Sequence, residues 1–120
     1  MKNINLAVIG LGYIGLPIAI AFSKFYKVIG FDLSADRINQ LNLNTDITNE
    51  VSKNALKKAK NLFFTYSKND LKDITVYIVA VPTPVNKNYL PDLKILKSAT
   101  KLIANKLKKN NIVIFESTVY

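Results

Sequence analysis

The stretch INLAVIGLGYIG, residues 4–15, decides the fold of this chain. Residues 4–9 form a short apolar run with several β-branched side chains, which is typical of a strand buried on both faces of a parallel sheet. Glycines follow at positions 10, 12 and 15, and apolar residues with helical spacing continue over residues 13–25. The pattern predicts a strand, a tight glycine turn and a helix that packs on the strand.

Strands and helices alternate along the rest of the chain. Residues 27–31 predict a second strand that ends at Asp32, and Ser34 is expected to cap a helix that runs to about Leu43, where Asn44 stops it. Further strands are predicted at residues 62–65, 75–81 and 112–115, with helices at about 49–60 and 91–107 and a turn at 69–73. The predicted fold class is α/β: a Rossmann-type doubly wound parallel sheet in three α/β/α layers.

The three glycines form a G-x-G-x-x-G motif placed between a strand and a helix. Gly10 permits the tight turn, Gly12 leaves the backbone open to a diphosphate, and Gly15 lets helix and strand approach closely. Free N–H groups at the helix N-terminus then bind the phosphates. The motif in this setting predicts dinucleotide binding, and the alternative is a glycine turn with a structural role alone.

Asp32 lies at the end of the second predicted strand, where a carboxylate accepts hydrogen bonds from the ribose hydroxyls of a dinucleotide. The same carboxylate repels a 2′-phosphate, so Asp32 favours NAD over NADP. Two alternatives stay open. Asp32 is placed to cap the next helix instead, and Arg37, one turn into that helix, is placed to pair with a phosphate.

Two further segments follow predicted strands at the edge where ligands bind. Val81, Pro82, Thr83 and Pro84 come after the fourth strand, which neighbours the first strand in a doubly wound sheet, and Thr83 is expected to contact the cofactor. The alternative is a plain turn. Residues 116–118 follow the fifth strand in the same way, and their position alone does not decide between a functional and a structural role.

Composition limits the chemistry of the chain. It has no Cys and no His, which excludes disulfides, Cys-based metal sites and imidazole catalysis. The net charge of +9 suits either phosphate binding or a solvated basic surface. A lysine-rich stretch at residues 53–60 lacks interleaved aromatic side chains, so we expect no nucleic-acid partner.

The uncharged run at residues 3–23 has two interpretations. It resembles a secretory signal or membrane anchor in composition, with Ala19-Ile20-Ala21 similar to a cleavage site. Glycines and Pro17 interrupt it, however, and the strand and helix pattern continues beyond it. We therefore expect a buried strand and helix, a cytoplasmic protein and no membrane partner. We also expect residues 1–120 to form one domain, part of a longer protein, because the last strand would otherwise leave apolar surface uncovered.

Five segments together carry a family resemblance, and they span the whole chain: GLGYIGLP at 10–17, GFD at 30–32, VPTP at 81–84, PDL at 91–93 and ESTVY at 116–120. With these motifs the chain resembles the UDP-glucose/GDP-mannose dehydrogenase family. The VPTP and PDL segments are most similar to bacterial UDP-N-acetylhexosamine 6-dehydrogenases, which make uronic acids for surface polysaccharides.

The resemblance implies two successive NAD-dependent oxidations of a sugar C6 alcohol to a carboxylate, through a thiol-bound intermediate. It implies cofactor contacts for several residues of this chain: Gly10, Gly12, Tyr13, Ile14, Gly15, Asp32, Arg37, Val81, Pro82 and Thr83. Thr118 matches a threonine near the reacting centre, and is the implied catalytic residue as well as a cofactor contact. The family nucleophile is a Cys of a later domain, so these residues alone should bind NAD and catalyse nothing.

The resemblance further implies a UDP-sugar as substrate and a homodimer for the full-length enzyme. It does not decide the conformation of the loop at Asn44, because the family often has glycine at that position. Two other functions remain as alternatives. One is the cofactor domain of a different Rossmann dehydrogenase, such as a β-hydroxyacid type, and the other is a non-catalytic nucleotide-sensing module or a basic nucleic-acid-binding module.

Overall fold

The structure is a computed structural model, and it describes residues 4–116. Five parallel strands form one sheet in the order β3-β2-β1-β4-β5. The strands are β1 (Asn5–Ile9), β2 (Lys27–Phe31), β3 (Leu62–Thr65), β4 (Val76–Val79) and β5 (Ile112–Phe115). The helices are α1 (Gly15–Ser23), α2 (Ala35–Asn42), α3 (Lys53–Lys58) and α4 (Lys94–Ala104). The predicted doubly wound α/β fold is confirmed.

The sheet separates two apolar cores because successive side chains of a strand point to opposite faces. Leu6 and Val8 of β1 pack with buried residues of α1, α2 and α3 on one face. Ala7 and Ile9 pack with Ala99 and Ile103 of α4 on the other face. The three α/β/α layers follow directly, and the apolar run that begins the chain is a buried strand and helix, as expected. Within residues 4–116, no helix has the length and apolar character needed to cross a membrane.

Several elements are shorter in the structure than the sequence predicted, and each difference has a physical reason. Helix α3 begins only after the Ser52 side chain accepts a hydrogen bond from the Ala55 N–H at 3.1 Å. The positive φ of 58° at Asn49 is incompatible with a helix starting there. Helix α4 begins after residue 93, since Pro91 instead forms an antiparallel bridge with Val85. Strand β4 ends at Val79, and beyond it the Ala80 N–H still donates to the Ile9 carbonyl of β1 at 2.8 Å.

The Asn44 backbone settles the conformation of the loop after α2. The helix ends at Asn42, and Asn44 has a φ of 59°, in the left-handed region. Glycine adopts this region without steric cost, and Asn is among the residues that tolerate it best. Asn44 therefore performs the helix-ending role that the sequence predicted, in the conformation that glycine would take.

Strand β5 forms one edge of the sheet and exposes apolar side chains, as the sequence led us to expect. Ile112 is 56% exposed, Ile114 42% and Phe115 52%. The backbone N–H of Glu116 donates to the Val79 carbonyl at 2.8 Å, which extends the pairing of β5 with β4 by one residue.

Candidate functional site

A cleft of about 520 Å³ opens at the carboxyl ends of the central strands. Residues that follow β1, β2 and β4 line three of its sides, and α4 forms the fourth. The cleft lies where the strand order reverses between β1 and β4, which is the position at which open α/β sheets bind ligands. The fold therefore places the cleft without any special feature of its side chains.

The turn between β1 and α1 forms the floor of the cleft, and glycine is sterically required at positions 10 and 15 of this turn. Gly10 has a φ of 98°, and a Cβ there would lie 2.9 Å from the Ala80 carbonyl oxygen. A Cβ on Gly15 would overlap the Gly10 carbonyl oxygen. A Cβ on Gly12, in contrast, would meet nothing within 4 Å, so the backbone at Gly12 faces open space. Both the close approach at Gly15 and the open backbone at Gly12 were predicted.

The backbone N–H groups at the N-terminus of α1 follow directly on this turn, because the helix begins at Gly15. Its N-cap residue, Ile14, provides no side-chain hydrogen bond, and the first turn carries no acidic residue. These N–H groups and the partial positive charge of the helix end are suited to a phosphate. The open backbone of Gly12 and the uncapped helix together fit the diphosphate of a dinucleotide.

Asp32 forms the side of the cleft that follows β2, and its carboxylate is held by two backbone groups. Oδ2 accepts a hydrogen bond from the Leu11 N–H and Oδ1 accepts one from the Ser34 N–H, each at 3.0 Å. The helix cap itself is the Ser34 hydroxyl, which accepts from the Arg37 N–H at 3.2 Å. Asp32 is therefore not the N-cap of α2, and its half-buried carboxylate lines the cleft.

Arg37 lines the cleft, but its guanidinium is already bonded within the protein. Nε and Nη2 donate to the Leu11 carbonyl at 2.9 and 2.6 Å, and Nη1 donates to Asp46 Oδ1 at 2.8 Å. The Arg37 side chain is only 10% exposed. This arrangement does not support the alternative in which Arg37 is available to pair with a 2′-phosphate, because its counter-charge is Asp46.

The structure brings six of the predicted site residues together around the cleft: Gly10, Gly12, Asp32, Arg37, Val81 and Pro82. Gly15 lies buried beneath the turn, whereas Tyr13 and Ile14 are exposed beside it. Thr83 is half-buried and immediately follows the lining residue Pro82. The predicted catalytic residue Thr118 lies outside the described residues.

Sequence reasoning missed the fourth side of the cleft. Helix α4 contributes Ile95, Ser98, Ala99 and Leu102, and Leu33 adds a further apolar side chain. An apolar slot of this kind suits the flat face of an adenine ring. The spacing of residues 95, 98, 99 and 102 places them on one helix face, and this spacing is the signal that was available in the sequence.

Asp46 was also missed, although it is among the most extensively bonded side chains in the described structure. Its carboxylate accepts hydrogen bonds from Arg37, from the Thr48 N–H and hydroxyl, and from the N–H groups of Glu50 and Val51. Burial raises the pKa of Asp46, but the hydrogen bonds from Thr48, Arg37 and Val51 outweigh it and lower the pKa from 3.8 to about 2. Asp46 is therefore ionised at neutral pH.

Known proteins match this chain over nearly its whole length. Residues 4–120 match the sequence profile of the UDP-glucose/GDP-mannose dehydrogenase family, NAD binding domain. The chain is 48% identical over 120 residues to a UDP-N-acetyl-D-glucosamine 6-dehydrogenase of Pseudomonas aeruginosa, with 100% of this chain and 28% of that protein covered. It is 38% identical over 120 residues to a UDP-N-acetyl-D-mannosamine dehydrogenase of Salmonella typhi, with 98% and 29% covered.

A solved structure gives the same result for the fold. A UDP-D-ManNAc dehydrogenase from Pyrococcus horikoshii superimposes with a TM-score of 0.87 at 34% identity, with 97% of this chain and 29% of that chain covered. The chain therefore spans less than a third of the length of each of these three relatives. Because the matching profile is that of an NAD-binding domain, the dinucleotide that suits the cleft is NAD. The chain belongs to the UDP-glucose/GDP-mannose dehydrogenase family, whose NAD-binding domain it matches from residue 4 to residue 120.

Proposed function

We propose that this chain is the cofactor-binding part of an NAD-dependent UDP-sugar 6-dehydrogenase. The full-length enzyme would oxidise the C6 alcohol of a UDP-hexose or UDP-N-acetylhexosamine to a carboxylate. The observation that carries the proposal is the open backbone at Gly12, which faces the cleft between the uncapped end of α1 and the carboxylate of Asp32. The names of the relatives in P. aeruginosa and S. typhi support a UDP-N-acetylhexosamine as the substrate class.

Different residues around the cleft would bind different parts of the cofactor. In this proposal the N–H groups at Gly12, Tyr13 and Ile14 bind the diphosphate, because they lie at the positive end of α1. The Asp32 carboxylate accepts hydrogen bonds from the adenosine ribose. Leu33 and the apolar face of α4 enclose the adenine.

The nicotinamide half would leave the cleft past Val81 and Pro82, toward Thr83. Val81 is buried and Pro82 fixes the backbone beside it, so this wall of the cleft is rigid. NAD supplies the hydride acceptor for each oxidation. This chain contributes binding and orientation. It has no Cys to form a thiol-bound intermediate, so we propose that these residues do not oxidise the sugar by themselves.

The proposal is tested with the purified full-length gene product. Production of NADH should require a UDP-sugar, and UDP-N-acetylglucosamine, UDP-N-acetylmannosamine and UDP-glucose should be compared at equal concentration. A 3-hydroxyacid serves as the matched substrate of the other dehydrogenase class. NADH formation with the hydroxyacid and with none of the UDP-sugars would reject the proposal in favour of a β-hydroxyacid dehydrogenase.

The cofactor is tested separately by calorimetric titration. NAD should bind more tightly than NADP, because the Asp32 carboxylate lies where a 2′-phosphate would have to fit. Equal affinities, or no binding of either dinucleotide, would contradict the assignment of the cleft. Titration with duplex DNA at two salt concentrations distinguishes the basic nucleic-acid-binding module, whose affinity would fall steeply with salt.

A further inference from the structure

Leu11, the residue between the first two glycines of the turn, is held on both sides of its backbone. Its N–H donates to Asp32 Oδ2 at 3.0 Å, and its carbonyl accepts from Nε and Nη2 of Arg37 at 2.9 and 2.6 Å. Two charged guanidinium donors converge on this one oxygen, and together they hold the carbonyl in place. The peptide that joins Leu11 to Gly12 is thereby fixed, and the Gly12 N–H belongs to that peptide.

Arg37 can hold this carbonyl only because a second group balances its charge. The Arg37 side chain is 10% exposed and the Asp46 side chain is 0% exposed, and Nη1 lies 2.8 Å from Asp46 Oδ1. A buried guanidinium without a carboxylate would be strongly unfavourable. Among residues 4–116, the other ion pair, between Lys108 and Asp73, is exposed, with 75% and 84% of the side chains accessible.

Asp46 is itself fixed by the loop that joins α2 to α3. Oδ1 accepts from the Thr48 N–H at 3.0 Å and from the Thr48 hydroxyl at 2.6 Å. Oδ2 accepts from the N–H groups of Glu50 and Val51, each at 2.9 Å. The carboxylate therefore cannot rotate away from Arg37 without breaking bonds to the loop. Asp46 is not among the residues that line the cleft.

We propose that Asp46 is a positioning residue for the cofactor: through Arg37 it fixes the Leu11 carbonyl, and so it orients the turn that binds the diphosphate of NAD. The inference rests on the proposed function, since it concerns the affinity of the same cleft. It assigns a role in cofactor binding to the α2–α3 loop, residues 43–52, none of which lines the cleft. Pre-organised donors bind more tightly because less freedom is lost on binding.

The test is the Asp46→Asn variant of the full-length gene product, which keeps the size of the side chain, removes its charge and replaces one acceptor oxygen with an NH2 group. We expect the affinity for NAD, measured by calorimetry, to fall about tenfold, as for the loss of one charge-assisted hydrogen bond. In steady-state kinetics the KM for NAD should rise while kcat stays unchanged, because the lost interaction acts on binding alone.

The matched control is Thr48→Val, which removes one hydrogen bond to the same carboxylate and keeps the Asp46–Arg37 pair. Because valine keeps the N–H bond of residue 48 to Asp46, this variant should weaken NAD binding much less than Asp46→Asn does. If Thr48→Val weakens NAD binding as much as Asp46→Asn does, general loosening of the loop explains both effects and the positioning role is wrong. Circular dichroism confirms that each variant is folded before its affinity is compared.

A double-mutant cycle with Arg37→Lys tests the route through Arg37. A lysine ammonium carries the same charge but lacks the planar guanidinium group, which donates to Leu11 and to Asp46 at the same time. If Asp46 acts through Arg37, adding Asp46→Asn to Arg37→Lys should change NAD affinity by less than about twofold. The full tenfold loss in that background would overturn the inference.

The outcomes separate this inference from the proposed function. If the wild type binds no NAD, the proposed function fails and the positioning role fails with it. If the wild type binds NAD and a folded Asp46→Asn variant binds it equally well, only the role of Asp46 is rejected.

Discussion

The backbone N–H of Leu11 donates to Asp32 Oδ2 at 3.0 Å, across 21 residues of sequence. This bond joins the turn after β1 to the end of β2, so the carboxylate assigned to the ribose also orders the turn assigned to the diphosphate. The other oxygen, Oδ1, accepts from the Ser34 N–H at 3.0 Å. With one backbone donor on each oxygen, the carboxylate is fixed in direction and retains lone pairs for ribose hydroxyls.

Asp32→Asn should reduce the preference for NAD over NADP by about tenfold, because the variant keeps the shape of the side chain and removes the charge that repels a 2′-phosphate. The measurement is calorimetric titration of both dinucleotides. Asp36→Asn is the matched control, since Asp36 is an exposed carboxylate in the first turn of α2 and does not line the cleft. An unchanged preference in Asp32→Asn would remove Asp32 from the ribose site.

Gly12→Ala should abolish tight NAD binding without a loss of stability. The new Cβ meets no protein atom within 4 Å, so the fold accommodates it, but it occupies the space through which a diphosphate approaches the backbone. Thermal unfolding and NAD titration measure the two properties independently. Wild-type affinity in this variant would show that the diphosphate binds elsewhere.

Gly15→Ala should have the opposite pattern, with the fold affected first. Its Cβ would overlap the Gly10 carbonyl oxygen, and the Ala80 side chain lies 3.3 Å away on another side. Relieving the overlap requires the helix and the turn to separate, so we expect a loss of at least about 1–3 kcal/mol of unfolding free energy, as for other overpacked sites. Urea denaturation measures the change, and wild-type stability would mean that the turn is less tightly packed than the structure shows.

Local sequence patterns predicted the sheet and the floor of the cleft because both depend on short-range chemistry. The strands β2, β3 and β5 have the predicted bounds, since each is an apolar run closed by polar residues or a turn. The requirement for glycine at positions 10 and 15 also follows from the local turn. Residues that act across long distances were not recognised. Arg37 was predicted to contact the adenosine end, and its bond to Leu11 spans 26 residues of sequence, which no local pattern reveals.

Asp46 and the face of α4 were missed for different reasons. Asp46 precedes Thr48 by two residues, a spacing typical of a turn in which an Asp side chain accepts from the backbone. The sequence could therefore have predicted this turn, but not the pairing of Asp46 with Arg37. Helix α4 was predicted, but its distance from the cleft depends on how the helix crosses the sheet. Ser98 and Leu102 line the cleft only because the helix returns beside the carboxyl ends of β1 and β2.

Ser98→Phe should block the cleft from the α4 side. Ser98 is exposed and lines the cleft, so a phenyl ring there fills space assigned to the adenine without disturbing the core. NAD affinity should fall at least about tenfold, while the melting temperature changes little, as for exposed sites in general. Lys97→Phe places the same ring on the opposite face of α4 and should leave NAD affinity unaltered. Equal effects of the two variants would argue against an adenine site on α4.

The contribution of Asp46 to stability should disappear in acid. Its pKa is lowered from 3.8 to about 2 in the folded protein, so the unfolded chain binds a proton more readily than the folded one between these values. The stabilisation is therefore fully present well above pH 3.8, and is lost as the pH falls through about 2. Because the side chain is 0% exposed, the shift corresponds to roughly 2 kcal/mol.

Other carboxylates titrate in the same range, so the measurement is the difference between the wild type and Asp46→Asn. Asparagine does not titrate, and the wild type should be more stable than the variant at about pH 6 by an amount that shrinks by roughly 2 kcal/mol as the pH falls to about 2. Urea denaturation at a series of pH values gives both free energies. A difference that stays constant with pH would show that the Asp46 carboxylate has the same proton affinity in the folded and unfolded chains, and that Arg37 and the loop N–H groups do not stabilise its charge.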